Sequence, residues 1–394
     1  MQARLLFLLF SFWTGTAIQA RPLVLPDNKL DAAPPRIIRT CCAFGVNMKM
    51  TGLPFVRYND ITGLERIGPH TYLGSKVEGN GILYTRNGGF VDIGHVRDQA
   101  DWTAFLYSLF KKYQTQGSTG FTHKLGYEGG PKLLQISLPH SLRDEDLMVL
   151  AGRIAYDLSV WHEIGTWNGT SLIPMLPERY SAFSIEDGYS NMLGILLGIQ
   201  ALKSNLPFEE AMTRLLNESL VNLGALPTLE ETRQAMLSVE GEWWSNRIRL
   251  PSGKVVKKRQ FGIYPCIEPV LLPQFKAGQN GAMVLSLPEL PSHADPNQYY
   301  SIYIQLNNKF PVKEIFGDMD RIITQRDFPA LIDYAARESE TKYGDLVYKE
   351  PRKNRRYGIS LDQDSGVSLT GRPRIRESLS PEDLKSRHAK GGKR

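Results

Sequence analysis

The sequence predicts an α+β protein with a mainly helical centre and a few β-hairpins. Three observations predict this class: apolar residues recur at helical spacing in several long segments, an Asn-Gly-Gly turn joins two β-type runs, and another strand-like run lies late in the chain. We predict a signal peptide over residues 1–20, a single exported domain over residues 21–340 and a basic, disordered tail over residues 341–394.

The first 20 residues have the pattern of a secretory signal peptide. One arginine, Arg4, precedes the apolar residues 5–13, and small residues follow as far as Ala20. The apolar stretch is too short for a stable membrane anchor, and a later one over residues 192–202 is interrupted by glycines. We therefore expect an exported protein, periplasmic or secreted, whose mature chain has no transmembrane segment.

The net charge of +6 comes from the C-terminal end of the chain. From Lys349 onward there are thirteen Lys and Arg against six Asp and Glu, so this end carries +7 and the rest of the chain about −1. A segment of this composition, with almost no apolar periodicity, is expected to be disordered. It serves either as a solubilising end or as an attachment to an anionic envelope component, and we expect no nucleic-acid partner for an exported chain.

Three cysteines are too few for a disulfide scaffold. In an oxidising compartment, one bridge can join Cys266 to either Cys41 or Cys42, which leaves one thiol over. The alternative is that all three are buried thiols.

The first predicted elements of the domain are a hairpin and two helices. Residues 81–94 read as two strands around the Asn-Gly-Gly turn, and a helix should follow at once, because apolar residues recur at helical spacing from His95. A second helix is predicted over residues 142–161, with acidic residues in its first turn, where they suit the helix dipole. His162 continues the apolar stripe of this helix and is expected at its end.

A third helix is predicted near residue 183, where Ser184 and Asp187 resemble a capping box. Gly194 and Gly198 lie on one face of this helix, although a glycine in a helix costs about 1 kcal/mol relative to alanine. Another backbone is therefore expected to pack very close to that face. The remaining predicted elements are helices over residues 207–221 and 229–242, a hairpin over residues 248–256 and a strand over residues 299–306.

The motifs of several enzyme classes are missing from the sequence. It has no Gly-rich phosphate loop, no G-x-S-x-G nucleophile elbow, no dinucleotide-binding fingerprint and no C-x-x-C pair. These absences argue against nucleotide enzymes, serine hydrolases of that type and thioredoxin-like redox enzymes.

Histidines and carboxylates near helix ends form the candidate site instead. His95, His162 and Glu186 are candidate ligands for zinc or iron, because such sites combine imidazole and carboxylate ligands from several elements and keep an open position for water. Glu163 lies next to His162 and is the candidate catalytic base that acts on the metal-bound water.

Four further polar residues are expected around these ligands: Asp92, Asp98, Asp187 and Asn191. A carboxylate that hydrogen-bonds to a ligating imidazole fixes the orientation of the ring. However, acidic residues in a first turn also stabilise a helix by themselves. The alternative is therefore that the histidines and acids only pin helices together.

Four segments carry a resemblance to a known family: PRIIRTCCAFG, GGFVDIGHVRDQADW, WHEIGTWNG and FSIEDGYSNMLG. In these segments, which spread over about residues 35–200, the chain resembles an uncharacterised family of exported bacterial proteins, a domain of unknown function. The resemblance supports the choice of candidate residues and implies no reaction.

The sequence thus predicts a metal-dependent hydrolase that acts on a cell-envelope substrate, namely a peptide, a glycan or a lipid ester. Two other functions stay open at this point. One is a non-catalytic envelope accessory protein. The other is a glycan-binding protein, which would need exposed tryptophans that line a groove.

Overall fold

A computed structural model describes residues 33–35, 38–39, 43–171, 178–275, 281–318 and 320–343. The predicted signal peptide, the predicted tail from residue 344 onward, and Cys41 and Cys42 lie outside the described residues. Their proposed partner, Cys266, is half-buried at the start of a short strand. In the part of the chain that is described, no helix is both long enough and apolar enough to cross a membrane.

The described residues contain seven α-helices and ten β-strands, which confirms the α+β class. The helices are α1 (Ile93–Thr115), α2 (Asp144–Trp167), α3 (Asp187–Lys203), α4 (Phe208–Asn222), α5 (Leu229–Leu237), α6 (Val312–Phe316) and α7 (Phe328–Tyr343). The strands are β1 (Met48–Met50), β2 (Leu53–Tyr58), β3 (Ile82–Thr85), β4 (Gly89–Asp92), β5 (Gly120–Tyr127), β6 (Pro131–Ser137), β7 (Cys266–Ile267), β8 (Leu285–Ser286), β9 (Tyr300–Gln305) and β10 (Ile322–Ile323).

Four strands form one antiparallel sheet in the order β10-β9-β6-β5. Its alternating pattern is clear in β6, where Leu134 and Ile136 are buried and Gln135 is exposed. Leu134 lies opposite Ile302 of β9, and both belong to the main hydrophobic core together with α1, α2 and α3. One face of the sheet therefore packs on the helical centre.

The hairpin β3–β4 and the helix that follows it are confirmed. β4 ends at Asp92, and α1 begins at the next residue, so strand and helix share one rigid junction. The close approach predicted for the glycine face of α3 is also confirmed. A Cβ atom on Gly194 would lie 2.3 Å from the carbonyl oxygen of Val96, and one on Gly198 would lie 3.0 Å from the Cα of Ala100. Helices α1 and α3 thus touch backbone to backbone.

Two helix boundaries differ from the prediction. Helix α2 continues to Trp167, so His162 lies inside the helix and not at its end. The helix ends where Gly169 takes up a φ of 80°, the left-handed conformation common after a helix C-terminus. The capping box at the start of α3 is wrong: the N-cap is Glu186 and makes no side-chain capping bond, and Ser184 donates to Glu186 instead.

The hairpin predicted over residues 248–256 is wrong, because its backbone pairs elsewhere. Leu250 exchanges hydrogen bonds with Lys49 and Thr51, next to β1. The predicted helix from residue 229 begins as expected but ends at Leu237. Beyond it, the chain turns back so that the N–H of Gly241 donates to the carbonyl oxygen of Trp244. The strand predicted over residues 299–306 is confirmed as β9.

Candidate metal centre

Helices α1 and α3 begin beside each other and bring three candidate ligands together. Asp92, His95 and Asp187 each offer one ligand atom, and these atoms all lie within 4.8 Å of one another. All three residues are buried. The described ranges contain no second cluster of this kind.

Asp92 is held by the junction between β4 and α1. It caps α1, because its Oδ1 accepts hydrogen bonds from the backbone N–H groups of Gly94 (2.7 Å) and His95 (3.3 Å). The N–H of Asp92 donates to Oγ of Ser190 on α3, at 2.8 Å. The other carboxylate oxygen, Oδ2, is buried and has no hydrogen-bond partner among the described residues. A bound cation would satisfy such an oxygen.

His95 faces the first turn of α3. Its Nδ1 lies 3.4 Å from Oδ1 of Asp187. This nitrogen is also buried and makes no hydrogen bond within the described part of the chain. The contact exists because α1 and α3 approach closely at Gly194, seven residues after Asp187. Two helix starts and one close crossing therefore build the cluster.

Buried carboxylates surround Asp187. Burial raises the pKa of Asp187 well above its ordinary value, and the neighbouring carboxylates of Glu186, Glu163 and Asp92 raise it further. The guanidinium of Arg259 acts in the opposite direction. Burial also raises the pKa of Glu186 to about 8. One guanidinium cannot balance four carboxylates, so either protons or a cation must neutralise this region.

The predicted ligand Glu186 and the predicted base Glu163 both bind the turn that precedes α3. The hydroxyl of Ser184 donates to Glu186 at 2.5 Å, and the N–H of Phe183 donates to Glu163 at 2.6 Å. Phe183 has a φ of 57°, a strained conformation for a bulky residue. These two carboxylates thus stabilise the entry to α3, and neither lines the cavity next to the cluster.

A cavity of about 30 Å³ lies beside the cluster. It has room for a water molecule or an ion but not for a whole substrate. Helices α1 and α3 contribute one wall, which contains His95, Asp98 and Asn191. A second wall contains Glu128, Lys132 and His162. His95 and His162, both predicted as metal ligands, therefore line one cavity.

On the second wall, the carboxylate of Glu128 binds both His162 and Lys132. Oε1 of Glu128 lies 2.8 Å from Nδ1 of His162, and Oε2 lies 2.8 Å from Nζ of Lys132. Glu128 is 2% exposed and Lys132 is 6% exposed, so water competes little for these contacts. The indole N–H of Trp161 donates to the backbone carbonyl of Glu128 at 2.9 Å and fixes its main chain.

Sequence reasoning missed Glu128, in the turn between β5 and β6, and Lys132, near the start of β6. The intervening Gly130 has no room for a side chain, because its Cβ would lie 1.7 Å from the carbonyl oxygen of Gln305. The signal in the sequence was the Glu-Gly-Gly-Pro-Lys stretch, in which two glycines separate a pair of opposite charges. The stretch predicts a tight turn, but nothing in it indicates that both charges are buried.

Asp98 is tied to an arginine from the N-terminal end of the described chain. Its Oδ1 accepts a hydrogen bond from Nη1 of Arg39 at 2.7 Å, and the same guanidinium binds Asp101 and, through two nitrogens, Glu78. Burial raises the pKa of Asp98 to about 6, although Arg39 opposes the shift. Asp98 therefore joins the cavity wall to a buried ionic network.

A glycan-binding groove would need exposed tryptophans, but the tryptophans of the described residues are buried. Trp161, Trp167 and Trp244 are fully buried, and Trp243 is 7% exposed. Trp102 lines the small cavity with 6% of its surface exposed. The described residues thus offer no groove lined by exposed tryptophans.

The chain belongs to the family described as "Protein of unknown function (DUF4056)", whose model matches residues 29–273. The matched range includes both walls of the cavity and all three residues of the Asp-His-Asp cluster. Neither a curated protein nor a solved structure matches the chain.

Proposed function

We propose that this protein is a metal-dependent hydrolase that holds one zinc or iron ion between Asp92, His95 and Asp187. The observation that carries the proposal is the buried cluster itself, whose ligand atoms lie within 4.8 Å of one another. Oδ2 of Asp92 and Nδ1 of His95 have no hydrogen-bond partner among the described residues, as expected for ligands without their ion. Of the three ligands predicted from the sequence, only His95 remains in this set. Asp92 and Asp187 take the places of His162 and Glu186.

The charge of the region supports a cation. Four buried carboxylates meet near the start of α3, and one guanidinium opposes them. A divalent ion would offset the repulsion between the carboxylates and would let Asp92 and Asp187 ionise together.

The ligand set also suits hydrolysis. One imidazole and two carboxylates leave at least one position open, and the small cavity beside them has room for a water molecule. A metal ion lowers the pKa of a bound water so that hydroxide forms near neutral pH. The chain's own contribution is to exclude bulk water and to hold the three ligands on two rigid helix starts.

The substrate class follows from the predicted location. A signal peptide directs the protein to the cell envelope, and the basic tail favours an anionic component of it. We therefore propose an envelope peptide, glycan or lipid ester as the substrate. A second candidate, a non-catalytic envelope accessory protein with a structural ion, is favoured by one observation: the cavity of about 30 Å³ is smaller than ordinary substrate pockets.

Metal content tests the proposal. The protein is purified without chelator and without a histidine tag, and its zinc and iron are measured by mass spectrometry beside Asp187→Asn and a control, Asp333→Asn. Asp333 is exposed on α7, so its variant controls for the loss of one carboxylate. About one equivalent of metal is expected in the parent and the control but not in Asp187→Asn. A parent protein that takes up neither metal, even after incubation with both, would refute the proposal.

A further inference from the structure

We infer that His162 is the proton-transfer residue of this site and that Glu128 is its positioning residue. The inference rests on the proposed function, since it assigns a second role within the same cavity. The sequence predicted His162 as a metal ligand and Glu163 as the base, so both roles change.

The geometry of the pair is that of a carboxylate–imidazole dyad. Nδ1 of His162 lies 2.8 Å from Oε1 of Glu128, at the distance of a hydrogen bond to a charged acceptor. A carboxylate at this place stabilises the tautomer with the proton on Nδ1, which makes Nε2 the nitrogen that carries the lone pair. Lys132 binds the other oxygen of Glu128 at 2.8 Å and holds the carboxylate in place.

The dyad and one member of the metal cluster, His95, line the same cavity. His162 and Glu128 line it from α2 and the β5–β6 turn, and His95 lines it from α1. Because the cavity holds about 30 Å³, a water molecule within it can contact both walls. Hydrolysis requires a proton acceptor beside the attacking water, and an ion held through His95 would lower the pKa of that water.

Glu163 does not have this access. Its carboxylate accepts the N–H of Phe183 at 2.6 Å, it is 3% exposed, and it does not line the cavity. Glu163 and His162 are consecutive on a helix, and their side chains point about 100° apart. The imidazole therefore faces the cavity, and the carboxylate faces the turn that leads into α3.

The step balances for a carbonyl substrate, an ester or an amide. One O–H bond of water breaks and its proton moves to Nε2 of His162, while the water oxygen bonds to the carbonyl carbon and the π electrons of the C=O bond move to the carbonyl oxygen. When the C=O bond forms again, the bond between that carbon and the leaving group breaks, and the same proton moves from Nε2 to the leaving group. The products are the carboxylic acid and the neutral alcohol or amine, and His162 returns to its starting form.

The test reads the tautomer of His162 directly. Protein labelled with ¹⁵N-histidine is examined by long-range ¹H–¹⁵N NMR with and without one equivalent of zinc, and His162→Gln assigns the signal. Glu128→Gln is compared with Glu289→Gln, a matched control, because Glu289 lies 3.9 Å from Nδ1 of the exposed His293. Zinc retention is measured on each variant and on Asp187→Asn.

We expect a protonated Nδ1 and an unprotonated Nε2 for His162 in the parent protein. Glu128→Gln should increase the population with the proton on Nε2, whereas Glu289→Gln should leave the spectrum of His293 unchanged. His162→Gln should retain zinc, and Asp187→Asn should lose it. The tautomer of His162 is measured on the parent protein, so the result stands even if Glu128→Gln fails to fold.

Two results would overturn the inference and leave the proposed function standing. One is a proton on Nε2 of His162 in the zinc-loaded parent, because that tautomer cannot accept the proton of water. The other is loss of zinc in His162→Gln together with a zinc-dependent shift of Nε2, which would make His162 a ligand. Absence of zinc binding in the parent is a different result, which would refute the proposed function and, with it, the role of His162.

Discussion

Asp92 accepts a hydrogen bond from the backbone N–H of His95, and one oxygen of its carboxylate also lies within 4.8 Å of a ring nitrogen of His95. The same carboxylate therefore starts helix α1 and takes part in the candidate metal site. Helix capping is a local effect of about 1 kcal/mol. Cation binding would use the second oxygen, Oδ2, so the two roles can be separated by mutation.

Asp92→Ser and Asp92→Ala are expected to differ in stability but not in metal content. Serine can keep the capping bond to the first turn of α1, whereas alanine cannot, so Asp92→Ala should unfold about 1 kcal/mol more easily than Asp92→Ser. Neither side chain can replace the second carboxylate oxygen, so both variants should lose the metal. Urea unfolding and metal analysis on the same samples check this, and a Ser variant that retains a full equivalent of metal would contradict it.

Gly194→Ala should destabilise the protein although alanine favours helices. The new Cβ would lie 2.3 Å from the carbonyl oxygen of Val96, and a backbone atom cannot move aside cheaply. We expect a loss of about 1–3 kcal/mol in the free energy of unfolding. Gly198→Ala, where the nearest atom is 3.0 Å away, should lose less. If Gly194→Ala instead gained about 1 kcal/mol, as at an open helix position, the close crossing of α1 and α3 would be wrong.

Asp157 should make the protein less stable as pH rises from about 4 to 7. Its carboxylate accepts hydrogen bonds from Tyr264 and Tyr300, and burial raises its pKa to about 6. The folded state therefore holds this proton at pH values where the unfolded state, with an ordinary pKa near 4, has released it. Stability from this group is full below about pH 4 and is lost as pH rises through 6.

The difference between the parent and Asp157→Asn isolates that contribution. Between pH 4 and pH 7 the parent should lose about 2 kcal/mol more of its unfolding free energy than Asp157→Asn does. Chemical denaturation at several pH values measures both proteins. Parallel pH profiles would mean that Asp157 has an ordinary pKa in the folded protein.

Arg39→Met should cost about 3–5 kcal/mol of stability, because it leaves buried acids without their partner. Arg39 contacts Glu78, Asp98 and Asp101, and the side chains of all four residues are no more than 8% exposed. Arg66→Met is the control, since that side chain is 61% exposed and its nearest acid is 3.7 Å away. Thermal unfolding compares the melting temperatures of the two variants. Equal melting temperatures would show that the buried network contributes little to stability.

Local signals made the centre of the fold predictable. The turn before β4, the start of α1 and the glycine face of α3 each depend on residues close in sequence, and all three predictions are confirmed. The main sheet was missed because β6 pairs with β9, about 170 residues later, and no short pattern encodes that pairing. Helix α2 was predicted to end at residue 161, but it continues to Trp167, which is fully buried.

The candidate site was predictable as a set of segments and not as a set of contacts. His95 and His162 were expected to converge, and they line one cavity. Which acids face His95 depends on where α3 begins: Glu186 is its cap residue and binds Ser184, so Asp187, one residue later, meets the imidazole. Glu128 reaches His162 from a hairpin turn 34 residues away, and only the folded sheet reveals that contact.

The pairing of β6 with β9 has a practical consequence for anyone who divides this chain. The family match ends at residue 273, whereas β9 spans Tyr300–Gln305. A fragment cut at the end of the match would leave β6 as an open edge strand, and the turn that carries Glu128 would lose the neighbouring backbone of Gln305. The unit suitable for expression and crystallisation therefore extends to the end of α7 at Tyr343, about 70 residues beyond the family boundary.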